Sequence, residues 1–125
     1  MGQIPRIKLN REFSLVYRKG KKVHTHSLIL HVLKRRKQSG LRYGVTVSRT
    51  VRLAVQRNRL KRLLREAFRH EAAQIDGSYD IILTAKDLNP PASYLMILKD
   101  LRYALRRAGL YAKEIEAGQA LGDDQ

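Results

Sequence analysis

Cysteine is absent from the 125 residues. That excludes disulfides, thiolate metal sites and a cysteine nucleophile, and it suits a cytoplasmic location. Acidic residues are scarce: Asp and Glu number 11 against 26 Lys and Arg. They are also dispersed, so nothing resembles the carboxylate centre of a two-metal nuclease, and the adjacent Asp123 and Asp124 fall in a polar tail. No apolar run approaches the roughly 20 residues that span a bilayer. Met1 to Lys8 lacks the apolar core of a secretory signal. Ser48 has no His-Asp pair placed to make it a nucleophile.

What remains is a basic chain with enough apolar content to fold. The formal net charge is +15, and 43% of the residues are hydrophobic. A disordered basic tail would be poorer in Leu, Ile and Val, and the length suits one core. Such an excess of one sign repels itself on compaction, so a polyanionic partner is its natural explanation. With no membrane segment, that partner is nucleic acid.

Local patterns place the elements. Asn10 to Lys19 reads as a helix with Asn10 as cap, Phe13, Val16 and Tyr17 on one face, and a left-handed Gly20 at its end. Ser27 to Leu33 and Tyr43 to Ser48 read as strands, joined by a charged hairpin connection from Lys34 to Gly40. Helical spacing runs from Ala54 to Ala73. Asp76-Gly77 marks a turn, and Asp80 to Ala85 is apolar enough for a central strand. Asn89-Pro90-Pro91 breaks the chain before a helix capped by Ser93 and ended by Gly109. This is an α+β class, a two-layer α/β sandwich with a small sheet of about four strands covered by helices. Residues 1–112 are expected to form a single nucleic-acid-binding domain, and 113–125 to be disordered.

The segment Val51 to Arg69 carries the chemistry. On a helical wheel Leu53, Leu60, Leu63, Leu64, Ala67 and Phe68 form an apolar stripe roughly 140° wide. Asn58, Lys61, Arg62, Arg65 and Arg69 occupy the other side, with Arg57 and Arg59 at its borders. A charge run is ordinarily a solvated face. Here only Glu66 offers a counter-charge, so i,i+4 pairs cannot neutralise the face. Arg outnumbers Lys, and its planar fork suits phosphate and base edges. Asn58 adds an amide that both donates and accepts. Elsewhere, His24 and His26 alternate as if on one strand face, but two histidines without a nearby Cys or carboxylate are too few for a structural zinc site. Tyr103, Arg106 and Arg107 either extend the basic surface or only solubilise it.

Arg57-Asn58-Arg59-Leu60-Lys61-Arg62, followed by Arg65-Glu66 and Phe68-Arg69, resembles the signature helix of the protein subunit of bacterial ribonuclease P. Phe13 to Tyr17 with Gly20, Tyr43 to Arg49, and Tyr79 to Ala85 resemble its first helix and flanking strands. The resemblance covers about residues 5 to 110. It departs at Arg52-Leu53, where the family usually has a Gly-Asn-like pair.

The resemblance implies a left-handed βαβ crossover, against the usual right-handed rule. It implies a catalytic RNA subunit that hydrolyses precursor tRNA with its own Mg²⁺, no cofactor on the protein, and a monomeric protein in a one-protein, one-RNA complex. The basic helix (Arg57, Asn58, Arg59, Lys61, Arg62, Arg65, Arg69) would bind the catalytic RNA. A cleft with Phe13, Tyr17, Arg18, His31, Thr46 and Ser48 would hold the single-stranded 5′ leader. Rings beside positive charge are a common platform for such strands. The alternatives are a structural RNA-binding protein, such as a ribosomal component, and an autonomous metal-dependent nuclease.

Overall fold

A computed structural model describes residues 4–111; the tail at 113–125 lies outside the described residues. Helix α1 (Asn10–Lys19) is followed by strands β1 (Lys21–His24), β2 (Leu28–Lys34) and β3 (Arg42–Val47). Helix α2 (Ala54–Ala72), strand β4 (Tyr79–Ala85) and helix α3 (Tyr94–Arg107) complete the order. The strands form one sheet in the order β1-β2-β4-β3. β2 is antiparallel to both β1 and β4, and β3 is parallel to β4. β4 is central, and its Asp80, Ile81, Ile82, Leu83 and Ala85 are all buried.

The topology corrects one reading. Lys34 to Gly40 is not a hairpin connection, because β4 lies between β2 and β3. The segment instead passes over the start of β4, where the Arg35 amide bonds to the Ser78 carbonyl at 2.8 Å. The true hairpin joins β1 and β2 through Thr25, whose hydroxyl donates to the Leu28 carbonyl and accepts the Leu28 amide. That turn takes His26 off the strand, so His24 and His26 do not share a strand face.

Side-chain alternation gives the sheet two faces. Leu28, Leu30, Val32, Tyr43, Ile81 and Leu83 pack with Leu60, Leu64 and Phe68 of α2 and with Ile97, Leu101 and Leu105 of α3. Tyr43 stacks on Phe68, with ring centroids 4.6 Å apart. On the other face Ile82 meets Val16 of α1 and Ile7, with Phe13 and Leu33 at the margin. α1 therefore covers only part of that face.

The helix ends show what local signals could place. Ser93 Oγ accepts the Met96 amide at 3.2 Å, as its position predicts. Gly109 has φ 78°, and the Gly109 and Leu110 amides return to the Arg106 and Leu105 carbonyls, the pattern that favours glycine at a helix end. α1 differs. Leu9, not Asn10, is the N-cap, and the Glu12 carboxylate accepts the Leu9 amide at 3.3 Å. Gly20 is extended rather than left-handed; glycine is needed there because a Cβ would lie 2.6 Å from the Val16 and Val32 carbonyl oxygens.

A buried carboxylate holds the end of α2 to α3. Glu71 is 1% exposed and accepts from the Tyr111 hydroxyl at 2.7 Å and Arg102 Nε at 3.0 Å, with His70 Nδ1 at 2.8 Å. Burial pushes this carboxyl up, but the three partners outweigh burial and hold it below the usual range. A depressed folded value contributes stability that is full above the ordinary value of 4.5 and is lost as pH falls through the lower folded value. Glu71→Gln is expected to cost about 1–3 kcal/mol at neutral pH and to flatten the acid limb of a urea stability profile. Wild-type midpoints across the whole pH range would remove Glu71 from this role.

Candidate nucleic-acid interface

The turn from β3 into α2 sets the position of the basic helix. Arg57 Nη1 donates to the Ser48 and Val51 carbonyls, both at 2.9 Å, and Nη2 reaches the Val47 carbonyl at 3.4 Å. Its guanidinium thus closes the turn that it follows. Gln38 is the only non-glycine described residue with positive φ, so Arg52-Leu53 needs no glycine conformation. Leu53 is the N-cap of α2 and is 64% exposed, not part of the apolar stripe. Its wheel position is irrelevant because it precedes the first helical turn.

The structure sorts the seven candidate residues of this helix. Asn58, Arg62 and Arg69 are exposed. Their spacing of four and seven residues puts them on one stripe about 16 Å long. Lys61 and Arg65 are half-buried, and Arg65 Nε is enclosed without a hydrogen-bond partner among the described residues. Arg59 Nη2 donates to the Ala92 carbonyl at 3.1 Å, tying α2 to the segment before α3. Arg57 and Arg59 therefore have structural work in addition to their charge.

The cleft residues converge on the opposite face of the sheet. The register aligns His31, Ile82 and Gly44 across three strands, and Ile29, Thr84 and Thr46 one step along. Tyr17 of α1 meets His31 edge-on at 4.7 Å between centroids, and Phe13 lies 6.5 Å from Tyr17. Gly44 makes room for Phe13, since a Cβ there would lie 2.6 Å from its ring. The Thr46 and Thr84 hydroxyls share a hydrogen bond of 2.8 Å. Ser48 continues the row at the end of β3, its hydroxyl 3.0 Å from that of Thr50.

These groups are not equally accessible. Tyr17 is 44% exposed, whereas His31 beneath it is 8% exposed. Burial, with the positive fields of Lys22 and His24, lowers the His31 pKa and favours the neutral ring. His31 Nδ1 is enclosed with no partner among the described residues. Arg18 is exposed, next to Tyr17 in the chain. Sequence reasoning passed over Ile29, Thr84 and Gly44. Alternation along Leu28 to Leu33 pairs Ile29 with His31, but only the strand register brings Thr84 and Gly44 to them.

Among the described residues, no group of three or more His, Cys, Asp or Glu is placed to hold a metal ion, and no helix is long and apolar enough to cross a membrane. A basic helix on one face and a ring-lined polar cleft on the other define a single-sheet α+β protein suited to RNA.

Known proteins fall in the same class. The profile of the Ribonuclease P family matches residues 1–109. The ribonuclease P protein component of Clostridium kluyveri is 38% identical over 108 residues, covering 85% of this chain and 96% of its own length. That of Shouchella clausii is 36% identical, covering 86% and 88%. Among solved structures, a Staphylococcus aureus RNase P protein superposes with a TM-score of 0.74 at 29% identity, covering 88% of this chain and all of its own. The Thermotoga maritima RNase P protein gives 0.71 at 26% identity, covering 82% and 96%. The chain belongs to the ribonuclease P protein family.

Proposed function

We propose that this chain is the protein component of a ribonuclease P ribonucleoprotein, which removes the 5′ leader from precursor tRNA in the cytoplasm. The observation that carries the reading is that the Asn58–Arg62–Arg69 stripe and the Tyr17 cleft lie on opposite faces of one sheet. Such a protein engages two RNA segments at once. The stripe neutralises phosphates of the catalytic RNA. The cleft takes the leader, with a base stacked on Tyr17 and the hydroxyls of Ser48, Thr46 and Thr84 bonding to its polar edge. Mg²⁺ held by the RNA supplies the hydrolytic chemistry, and one protein accompanies one RNA. The protein's own residues bind and orient.

Reconstitution tests this. RNA-free protein should leave precursor tRNA uncut at low Mg²⁺, and adding the catalytic RNA should give cleavage at the mature 5′ end. Metal-dependent cleavage by protein freed of RNA would make the chain a nuclease in its own right and end the reading.

A further inference from the structure

A further basic surface lies at the β1 edge, beginning at Lys19, the neighbour of Arg18 in the chain. A cavity of about 470 Å³ opens where α1 ends, β1 begins, β2 ends and α3 ends; Lys19, Lys21, Lys34, Tyr79, Gly109 and Leu110 are among its lining residues. All three lysines are exposed. Lys34 pairs with Tyr79 at the start of β4, whereas Val47, where the chain turns toward α2, pairs with Ala85 at its end. That is about 20 Å along the strand and, across the two strand spacings from β2 to β3, about 10 Å sideways. The diagonal of about 22 Å separates the cavity from the start of α2 and exceeds two screening lengths at physiological salt; the far end of α2 comes back toward the cavity, since Glu71 bonds to Tyr111, the neighbour of the lining residue Leu110.

An exposed ring is carried by α3, the helix whose end lines this cavity. Asp100 of α3 accepts from the Ser27 amide and hydroxyl at 2.9 and 2.6 Å, holding that flank of α3 to the β1–β2 turn. Tyr103 follows Asp100 by three residues and Arg107 follows Tyr103 by four, so both share the flank that descends beside β1. Tyr103 is 47% exposed, and Arg107 is exposed. Carboxylates near this end do not balance the cations. Asp80 is bound by Arg42 and Arg35 and Glu71 by Arg102, which leaves Asp76, whose amide bonds to the Leu110 carbonyl. Lysines on an edge strand also block unwanted strand pairing. That role needs neither a cavity nor a ring.

We propose that the β1 edge is a further RNA-binding surface, in which Lys19, Lys21 and Lys34 hold phosphates of an unpaired strand and Tyr103 stacks on one of its bases. It rests on the ribonuclease P reading, and adds a third RNA surface to the two that reading uses. Amide NMR of the full chain with an oligouridylate of about a dozen nucleotides tests it. Signals of Lys21, Val23 and Gly109 should shift together with those around Tyr17. Changing Lys19, Lys21 and Lys34 to Ala should abolish the first set and keep the second. It should also lower the salt slope by about 2, at roughly 0.7 for each single-strand phosphate no longer neutralised. Tyr103→Ala should weaken binding read at Gly109 by about 5- to 150-fold.

Shifts confined to the Tyr17 cleft and α2 would overturn this surface and leave the parent reading intact. Equal shifts at Lys21 and Gly109 with inorganic phosphate at matched phosphate concentration would make it an anion pocket, not a strand site. A wild-type chain that binds neither oligouridylate nor the catalytic RNA would remove both readings.

Discussion

Alanine at Arg62 and Arg69 together is expected to weaken binding of the catalytic RNA about 100-fold, roughly tenfold for each charge-assisted hydrogen bond removed. Both side chains are exposed on the outward stripe of α2, so the far-UV circular dichroism and the unfolding midpoint should stay near wild type. The slope of log affinity against log salt should fall by about 1.5, at roughly 0.7–0.9 for each phosphate no longer neutralised. The choice of residues matters. Arg57 is bonded to three carbonyls and Arg59 to one, so alanine there removes structural bonds as well as charge. Arg57→Ala should lower stability as well as affinity, and so serves as the contrast. Unchanged affinity and slope in the double variant, with the fold intact, would place the catalytic RNA elsewhere.

Tyr17→Ala should weaken binding of precursor tRNA to the assembled enzyme by about 5- to 150-fold, the value of one base-ring stack. The loss should appear with a leader of several nucleotides and vanish with a leader of one. Assembly with the catalytic RNA should be spared, whereas the Arg62/Arg69 variant should show the reverse pattern. A second readout is independent of RNA. The Tyr17 ring covers His31, and burial is the leading cause of its lowered pKa. Removing the ring should raise the His31 pKa toward its ordinary 6.5, read by NMR titration in the free protein. Equal penalties for long and short leaders would make Tyr17 a packing residue.

Several features of the site are legible residue by residue. The spacing of Leu60, Leu64 and Phe68 places the buried side of α2, and the same spacing places Asn58, Arg62 and Arg69 outside. It does not show that Arg57 and Arg59 are held by carbonyls of other segments. The apolar run from Ser27 starts one residue before β2, and no local pattern marks Lys21 to His24 as a strand paired to it. The cleft is named from a resemblance, and its floor is incomplete without Thr84 and Gly44.

The sequence by itself determined what depends on neighbours a few residues apart: the helix expected from Ala54 to Ala73, which ends at Ala72 with Ala73 as its cap, the Ser93 cap, the Gly109 stop, the apolar central strand and the large positive charge. These follow from periodicity, backbone preference and composition, which act within a turn or two of chain. The tertiary structure alone decided that β4 inserts between β2 and β3, and so that Lys34 to Gly40 is not a hairpin. It decided that His31, Thr84 and Gly44 share one face, that Leu53 stands in solvent, and that three lysines surround a cavity at the β1 edge. Each of these depends on pairing between segments far apart in sequence, where the deciding energy is burial of one shared face and satisfaction of backbone hydrogen bonds across strands.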